Sequence, residues 1–120
     1  LLLAEDEPGV RDLARTVLQM QGYTVLTAAS GTDVLRVEAT HDGPIHLLVT
    51  DVVMPDLGGR ALVDRIRTRR PHIKVLYMSG YMDDAVIRHG VETSQDRFIQ
   101  KPFTPLGLAR QVRDALDDNG

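Results

Sequence analysis

Apolar residues along this chain alternate between short unbroken runs and longer stretches where they recur every three or four positions. Leu1–Ala4 is unbroken, the mark of a strand buried on both faces. Pro8 then suits a first helical turn, and Val10, Leu13, Ala14, Val17 and Leu18 follow at helical spacing until Gly22. Tyr23–Ala28 predicts a second strand, and Ser30 a cap for a helix carrying Val34, Leu35 and Val37 inward. Ile45–Thr50, apolar apart from His46, predicts the third strand. Gly58-Gly59 leads into a helix with Leu62, Val63 and Ile66 that Pro71 ends. Ile73–Met78 predicts a fourth strand, Asp83–His89 a short helix ended by Gly90, and Arg97–Gln100 a fifth strand. Thr104-Pro105 opens a last helix with Leu108, Ala109, Val112, Ala115 and Leu116 on one stripe.

Strand and helix thus alternate five times, and central strands apolar on both faces need helices on both sides. The expected class is α/β, a parallel, doubly wound sheet forming one domain over residues 1–120. In such sheets ligands bind at the carboxyl ends of the strands, where the strand order reverses. Composition adds exclusions. With 120 residues there is room for one core, at about 100–200 residues per domain. No apolar run approaches the roughly 20 residues of a membrane span, and no leader resembles a signal peptide. The absence of cysteine removes disulfides, thiolate nucleophiles and Cys-based zinc sites. A net charge of -3 and 4% aromatic residues argue against direct nucleic-acid binding. These features suit a cytoplasmic domain, whose parent could still be membrane-anchored. The chain opens at Leu1 without Met and closes after Asp117-Asp118-Asn119-Gly120, so it reads as a piece of a longer protein.

Chemistry gathers at the predicted strand ends. Glu5, Asp6 and Glu7 follow the first strand, Asp51 the third, Ser79-Gly80 the fourth and Lys101-Pro102 the fifth. Each residue type suits phosphoryl transfer. Carboxylate oxygens are ligands for a hard divalent cation such as Mg²⁺, and clustered carboxylates need a cation or a lysine to ionise together. An aspartate oxygen can attack phosphorus and form an acyl phosphate. A lysine ammonium and a serine hydroxyl can then hold the oxygens of the transferred group. Loops after strands are polar anyway, and acidic residues before a helix favour its dipole. The signal lies in the coincidence of four different groups closing four different strands.

The sequence resembles a response-regulator receiver domain of two-component signalling over essentially its whole length. The resemblance rests on Leu3-Ala4-Glu5-Asp6-Glu7, Asp51-Val52-Val53-Met54-Pro55, Met78-Ser79-Gly80-Tyr81 and Gln100-Lys101-Pro102-Phe103, in that order. It implies a flavodoxin-like (βα)5 sandwich with a five-stranded sheet in the order 2-1-3-4-5. It further implies that Asp51 takes a phosphoryl group from a phosphohistidine, with Mg²⁺ or Mn²⁺ held by Glu5, Asp6, Asp51 and the backbone carbonyl of Val53. Ser79 and Lys101 match the hydroxyl and ammonium that contact the phosphoryl group, and the bond from Lys101 to Pro102 is expected in cis. Phe98 falls where the family carries a switch aromatic, so Ser79 and Phe98 are the expected switch pair. Val53 and Tyr81 flank the site at positions that influence dephosphorylation. Val53 cannot orient a water by hydrogen bonding, so slow-to-moderate self-dephosphorylation is expected. Implied partners are a histidine kinase or a histidine phosphotransfer domain, docking near Pro8, Val10 and Leu13, and an output partner the sequence does not name; a homodimer stays open. Such a domain catalyses its own phosphorylation but turns over no conventional substrate. Tyr77–Tyr81 and Lys101–Pro105 resemble receivers attached to hybrid sensor kinases.

Two other readings compete. An aspartate-nucleophile phosphatase would carry a second aspartate two residues after the nucleophile, where Val53 stands. A degenerate receiver serving only as an interaction module would not keep Glu5, Asp6, Asp51, Ser79 and Lys101 together. His41, His46, His72 and His89 show no paired metal spacing. Arg65, Arg67, Arg69 and Arg70 read as a solvated face at a helix C-terminus. Gly58-Gly59 lacks the pattern of a phosphate-binding loop, and the four methionines read as packing.

Overall fold

A computed structural model of the chain describes residues 1–54, 56–79, 97–100 and 102–117, without the side chain of Ser79. The helix predicted over Asp83–His89, Tyr81, and Lys101 with its bond to Pro102 lie outside the described residues. In chain order the elements are β1 (Leu2–Ala4), α1 (Pro8–Met20), β2 (Leu26–Ala28), α2 (Gly31–Thr40) and β3 (Leu47–Asp51). After them come α3 (Gly59–Arg67), β4 (Lys74–Ser79), β5 (Arg97–Gln100) and α4 (Pro105–Asp117). All strand pairs are parallel, in the order β2-β1-β3-β4-β5. The expected flavodoxin-like topology is therefore present.

Alternate strand residues feed two cores. Leu2, Ala4, Leu48, Val75 and Tyr77 point to the side of α2 and α3, where Val34, Leu62, Val63 and Ile66 meet them. Leu3, Leu47, Val49, Leu76, Met78 and Ile99 point to α1 and α4, against Ala14, Leu18, Leu108, Val112 and Ala115. The unbroken apolar runs follow from this two-sided burial.

Several boundaries differ from the expectation. β2 begins at Leu26 instead of Tyr23 because the residues before it are spent ending α1. Gly22, at φ 93°, donates to the Gln19 carbonyl at 3.0 Å, and Tyr23 to the Leu18 carbonyl at 3.2 Å. That closure needs a left-handed residue, which glycine supplies. β3 runs one residue further than predicted, so Asp51 is the last residue of the strand and not the first of a loop. Leu13 follows the helical spacing but is 47% exposed, while Ala14 and Leu18 carry the burial of α1. The cap predicted at Ser30 holds, its Oγ accepting from the Asp33 amide at 3.1 Å, and Thr104 opens the last helix as a cap too, its Oγ1 accepting from the Gly107 amide at 2.9 Å.

The arginines near the end of α3 are not all a solvated face. Arg70 donates from Nε to Glu38 Oε1 at 2.9 Å, and from its two terminal nitrogens to the carbonyls of Gly43 and His41, each at 3.1 Å. Arg69 reaches Glu38 Oε2 at 3.3 Å, and Arg67 donates to the Ile73 carbonyl at 3.3 Å. A planar guanidinium with five donors can serve three acceptors at once, which helical spacing alone does not reveal.

Candidate functional site

Strand register sets the site. Ala4 of β1 is level with Thr50 of β3, so the next residues, Glu5 and Asp51, stand side by side at the carboxyl ends of neighbouring strands. Pleating sends Leu3, Leu47 and Val49 to the α1–α4 face, and Glu5 and Asp51 continue those rows. Asp6 follows in the turn before Pro8. The result is one cluster: Glu5, Asp6 and Asp51 each offer a carboxylate oxygen within 4.8 Å of the others.

Exposure divides the three. Glu5 is fully buried and Asp51 is 4% exposed, whereas Asp6 is open to solvent. The backbone around them is pinned. The Glu5 amide donates to the Ala28 carbonyl at 3.1 Å, and Arg11 Nη1 donates to the Glu5 carbonyl at 2.9 Å. Beyond Asp51, the Val52 amide donates to the Met78 carbonyl at 2.9 Å, and the Gly59 amide to the Val52 carbonyl at 2.8 Å. Thr50, buried on the opposite face, donates its hydroxyl to the Asp51 carbonyl at 3.1 Å.

These donors fit a small hard dication. All are oxygens, the ligand type Mg²⁺ and Mn²⁺ prefer, and opposite ligands of an octahedral Mg²⁺ shell lie about 4 Å apart, a separation that falls inside the 4.8 Å bound on this cluster. Three carboxylates so near one another repel, and a bound cation relieves that repulsion. Val53, two residues past Asp51, turns its side chain out and is 50% exposed. Ser79 ends β4 in register with Gln100 of β5; its side chain, Lys101 and Tyr81 lie outside the described residues. Phe98 sits level with Tyr77 and packs, half-buried, against the α2–α3 core.

Two residues here escaped the sequence analysis. A β-carbon on Gly59 would collide with the carbonyl of Asp51, so the second glycine of Gly58-Gly59 permits a close approach of α3 to the end of β3. Asp56 accepts hydrogen bonds from the amides of Gly31, Thr32 and Leu57 at 3.1, 2.9 and 2.8 Å. A hydrogen bond from the Thr32 side chain, followed by those from the Thr32, Leu57 and Gly31 amides, holds its carboxyl far below the ordinary range. Only the Asp-Leu-Gly-Gly turn composition hinted at Asp56, and nothing local pointed to α2.

Known proteins agree with this geometry. The model of the response regulator receiver domain family matches residues 1–113. The chain is 38% identical over 117 residues to the sensor kinase CckA of Brucella abortus, covering 98% of this chain and 12% of the kinase. The receiver domain of the hybrid histidine kinase CckA superposes with a TM-score of 0.79 at 33% identity, over 97% of each chain. The receiver domain of NtrX from Brucella abortus superposes with a TM-score of 0.86 at 26% identity, over 98% of each chain. The chain also spans less than half of the ycf27 transcriptional regulators of Cyanidium caldarium and Cyanophora paradoxa, at 45% and 47%. Among the described residues no helix is long and apolar enough to cross a membrane. With its family model, its sheet order and its acidic strand ends in agreement, the chain belongs to the response regulator receiver domains of two-component signalling.

Proposed function

We propose that Asp51 is the phosphoacceptor of a signalling switch, charged by the phosphohistidine of a histidine kinase or histidine phosphotransfer domain in the cytoplasm. The observation that carries this reading is the buried Asp51 carboxylate at the end of the central strand, within 4.8 Å of Glu5 and Asp6. An Asp51 oxygen attacks phosphorus in line, the P–N bond to the imidazole breaks, and the histidine nitrogen takes up a proton. The product is an acyl phosphate on Asp51. Glu5, Asp6 and Asp51, with the Val53 backbone carbonyl, would hold Mg²⁺ or Mn²⁺, which supplies charge neutralisation for the carboxylates and the phosphoryl oxygens. Ser79 and Lys101 hold the remaining phosphoryl oxygens.

The switch is a population shift, driven by contacts that exist only with the phosphoryl group present. Ser79 turns toward that group, and Phe98, already half-buried against the core, moves further in. The face around β5 and α4 then repacks for an output partner. Exposed Leu13, on the helix α1 that follows the Glu5–Asp6 turn, offers an apolar contact to the histidine donor.

Incubation with Mg²⁺ and acetyl phosphate, read by intact mass, tests the reading. A single phosphoryl adduct that disappears in Asp51→Asn is the expected result. No adduct in the wild-type domain overturns it.

A further inference from the structure

Both chain segments that carry the acidic cluster are tied to the same short stretch, the junction of β2 and α2. On one side the Glu5 amide donates to the Ala28 carbonyl at 3.1 Å. On the other, Asp56 lies five residues beyond Asp51 and reaches across to α2. Its Oδ1 accepts from Gly31 N at 3.1 Å and from its own neighbour Leu57 N at 2.8 Å, and its Oδ2 accepts from Thr32 N at 2.9 Å. Packing reinforces the bond. A β-carbon on Gly31 would lie 2.6 Å from Leu57 Cβ and 2.7 Å from the Leu57 carbonyl oxygen, so the two backbones are in direct contact.

Helix α2 does not need this help to start. Ser30 Oγ already accepts the Asp33 amide at 3.1 Å, the Val34 amide reaches the Ser30 carbonyl at 3.0 Å, and Asp33 accepts the Ala29 amide at 3.1 Å. A local cap of this kind suffices for a helix end. The acceptor from Asp56 comes instead from a chain segment 24 residues away in sequence from Thr32. Charge-assisted bonds from a carboxylate to helix-terminal amides are strong and directional. What they tie down directly is the Asp56-Leu57 step ahead of α3, three residues after Val53.

We propose that Asp56 is a positioning residue for phosphotransfer: it clamps the β3–α3 connection, and through it Asp51 and the Val53 carbonyl, to the same frame that holds Glu5. The proposal rests on the phosphoacceptor reading of Asp51. Asp56 touches neither the phosphoryl group nor the cation. It acts by fixing the spacing of the two acidic segments, and small displacements of reacting groups cost rate steeply.

Asp56→Ala, Asp56→Asn and Ser30→Ala separate this role from general support of α2. Each variant is assayed for thermal midpoint, for the Mg²⁺ concentration giving half-maximal phosphorylation from acetyl phosphate, and for the rate at saturating Mg²⁺. Asp56→Ala is expected to raise the half-saturating Mg²⁺ and to lower the saturated rate, each by about tenfold. Asp56→Asn, which keeps one oxygen acceptor, is expected to recover part of both. Ser30→Ala loses a cap on the same helix and lowers the midpoint, yet is expected to leave both phosphorylation parameters within about twofold. Equal losses in Ser30→Ala and Asp56→Ala overturn the proposal, as does a folded Asp56→Ala with wild-type parameters. If Asp56→Ala does not fold, wild-type parameters in Asp56→Asn overturn it instead. In these cases the wild-type adduct on Asp51 still forms and the phosphoacceptor reading stands. Absence of that adduct removes both together.

Discussion

Gly59, the first residue of α3, lies against the backbone carbonyl of Asp51 with no room for a β-carbon between them. The contact binds the candidate phosphoacceptor to a helix start through main-chain atoms, leaving its carboxylate to face Glu5 and Asp6. The Gly59 amide adds a 2.8 Å bond to the Val52 carbonyl. Gly59→Ala forces β3 and α3 apart. It is expected to cost about 2–3 kcal/mol of stability, read from the urea midpoint, and to slow phosphorylation of Asp51 as well.

Glu38 is 3% exposed, and Arg70 is its closest partner. Removing a guanidinium from a buried carboxylate leaves a charge without adequate compensation. Arg69 retains a 3.3 Å contact, so the loss in Arg70→Met is expected at about 2–3 kcal/mol and not at the upper end for broken buried pairs. The double variant Glu38→Leu/Arg70→Met removes both charges and is expected to regain part of that loss. Urea titrations of the two single variants and the double variant give the coupling directly.

Acid sensitivity follows from Asp33 and Asp56. Backbone bonds, from Ala29 to Asp33, and bonds from Thr32 to Asp56 hold both carboxyls below their usual range. A carboxyl depressed in the folded state contributes stability that is complete above its unfolded pKa, near about 4, and that disappears as pH falls through the folded value. Thermal midpoints are therefore expected to fall steadily below about pH 5. In Asp33→Asn/Asp56→Asn the midpoint starts lower at pH 7 and declines less steeply. Parallel curves for wild type and variant would refute this assignment.

Crowding of Glu5, Asp6 and Asp51 predicts opposite effects in the presence and absence of metal. Asp6→Asn relieves repulsion, so the metal-free protein is expected to melt a few degrees higher, about 1 kcal/mol for a domain of this size. The same variant removes a ligand, and its stabilisation by Mg²⁺ is expected to need about tenfold more metal. Thermal melts with EDTA and across a Mg²⁺ series measure both.

Val53 presents an exposed apolar side chain beside the cluster. An amide there can orient a water toward the acyl phosphate, which valine cannot. Val53→Asn is expected to shorten the lifetime of the phosphorylated domain by about threefold or more. The decay of the adduct mass after removal of donor gives the rate, and an unchanged decay would count against the role of Val53.

Among the described residues, hydrophobic patterning recovered the alternation of strands and helices, and Ser30 and Thr104 marked the starts of α2 and α4, since each of these depends on a few adjacent residues. Patterning did not place the ends of the strands. Tyr23–Val25 have the composition of a strand, yet Tyr23 is committed to closing α1 by its bond to Leu18, five residues earlier in the chain. The arginines at and just beyond the end of α3 looked alike in sequence and separate in space, because among the described residues only Arg70 reaches Glu38, His41 and Gly43 together. Among the candidate site residues, Glu5, Asp6 and Asp51 could be named from their places after predicted strands. Asp56 could not, because its partners belong to another helix.

What the sequence by itself determined is which side chains stand at the strand ends, since alternation and helical period are local properties of the chain. The tertiary structure decided which of them meet. The register Ala4 to Thr50 brings Glu5 level with Asp51, and a slip of one residue would have sent one of the two to the other face. Gly59 against Asp51, Asp56 against α2 and Arg70 against Glu38 arise only once strands and helices are packed. Those contacts join residues distant in sequence, and their geometry is set by the shared core beneath them.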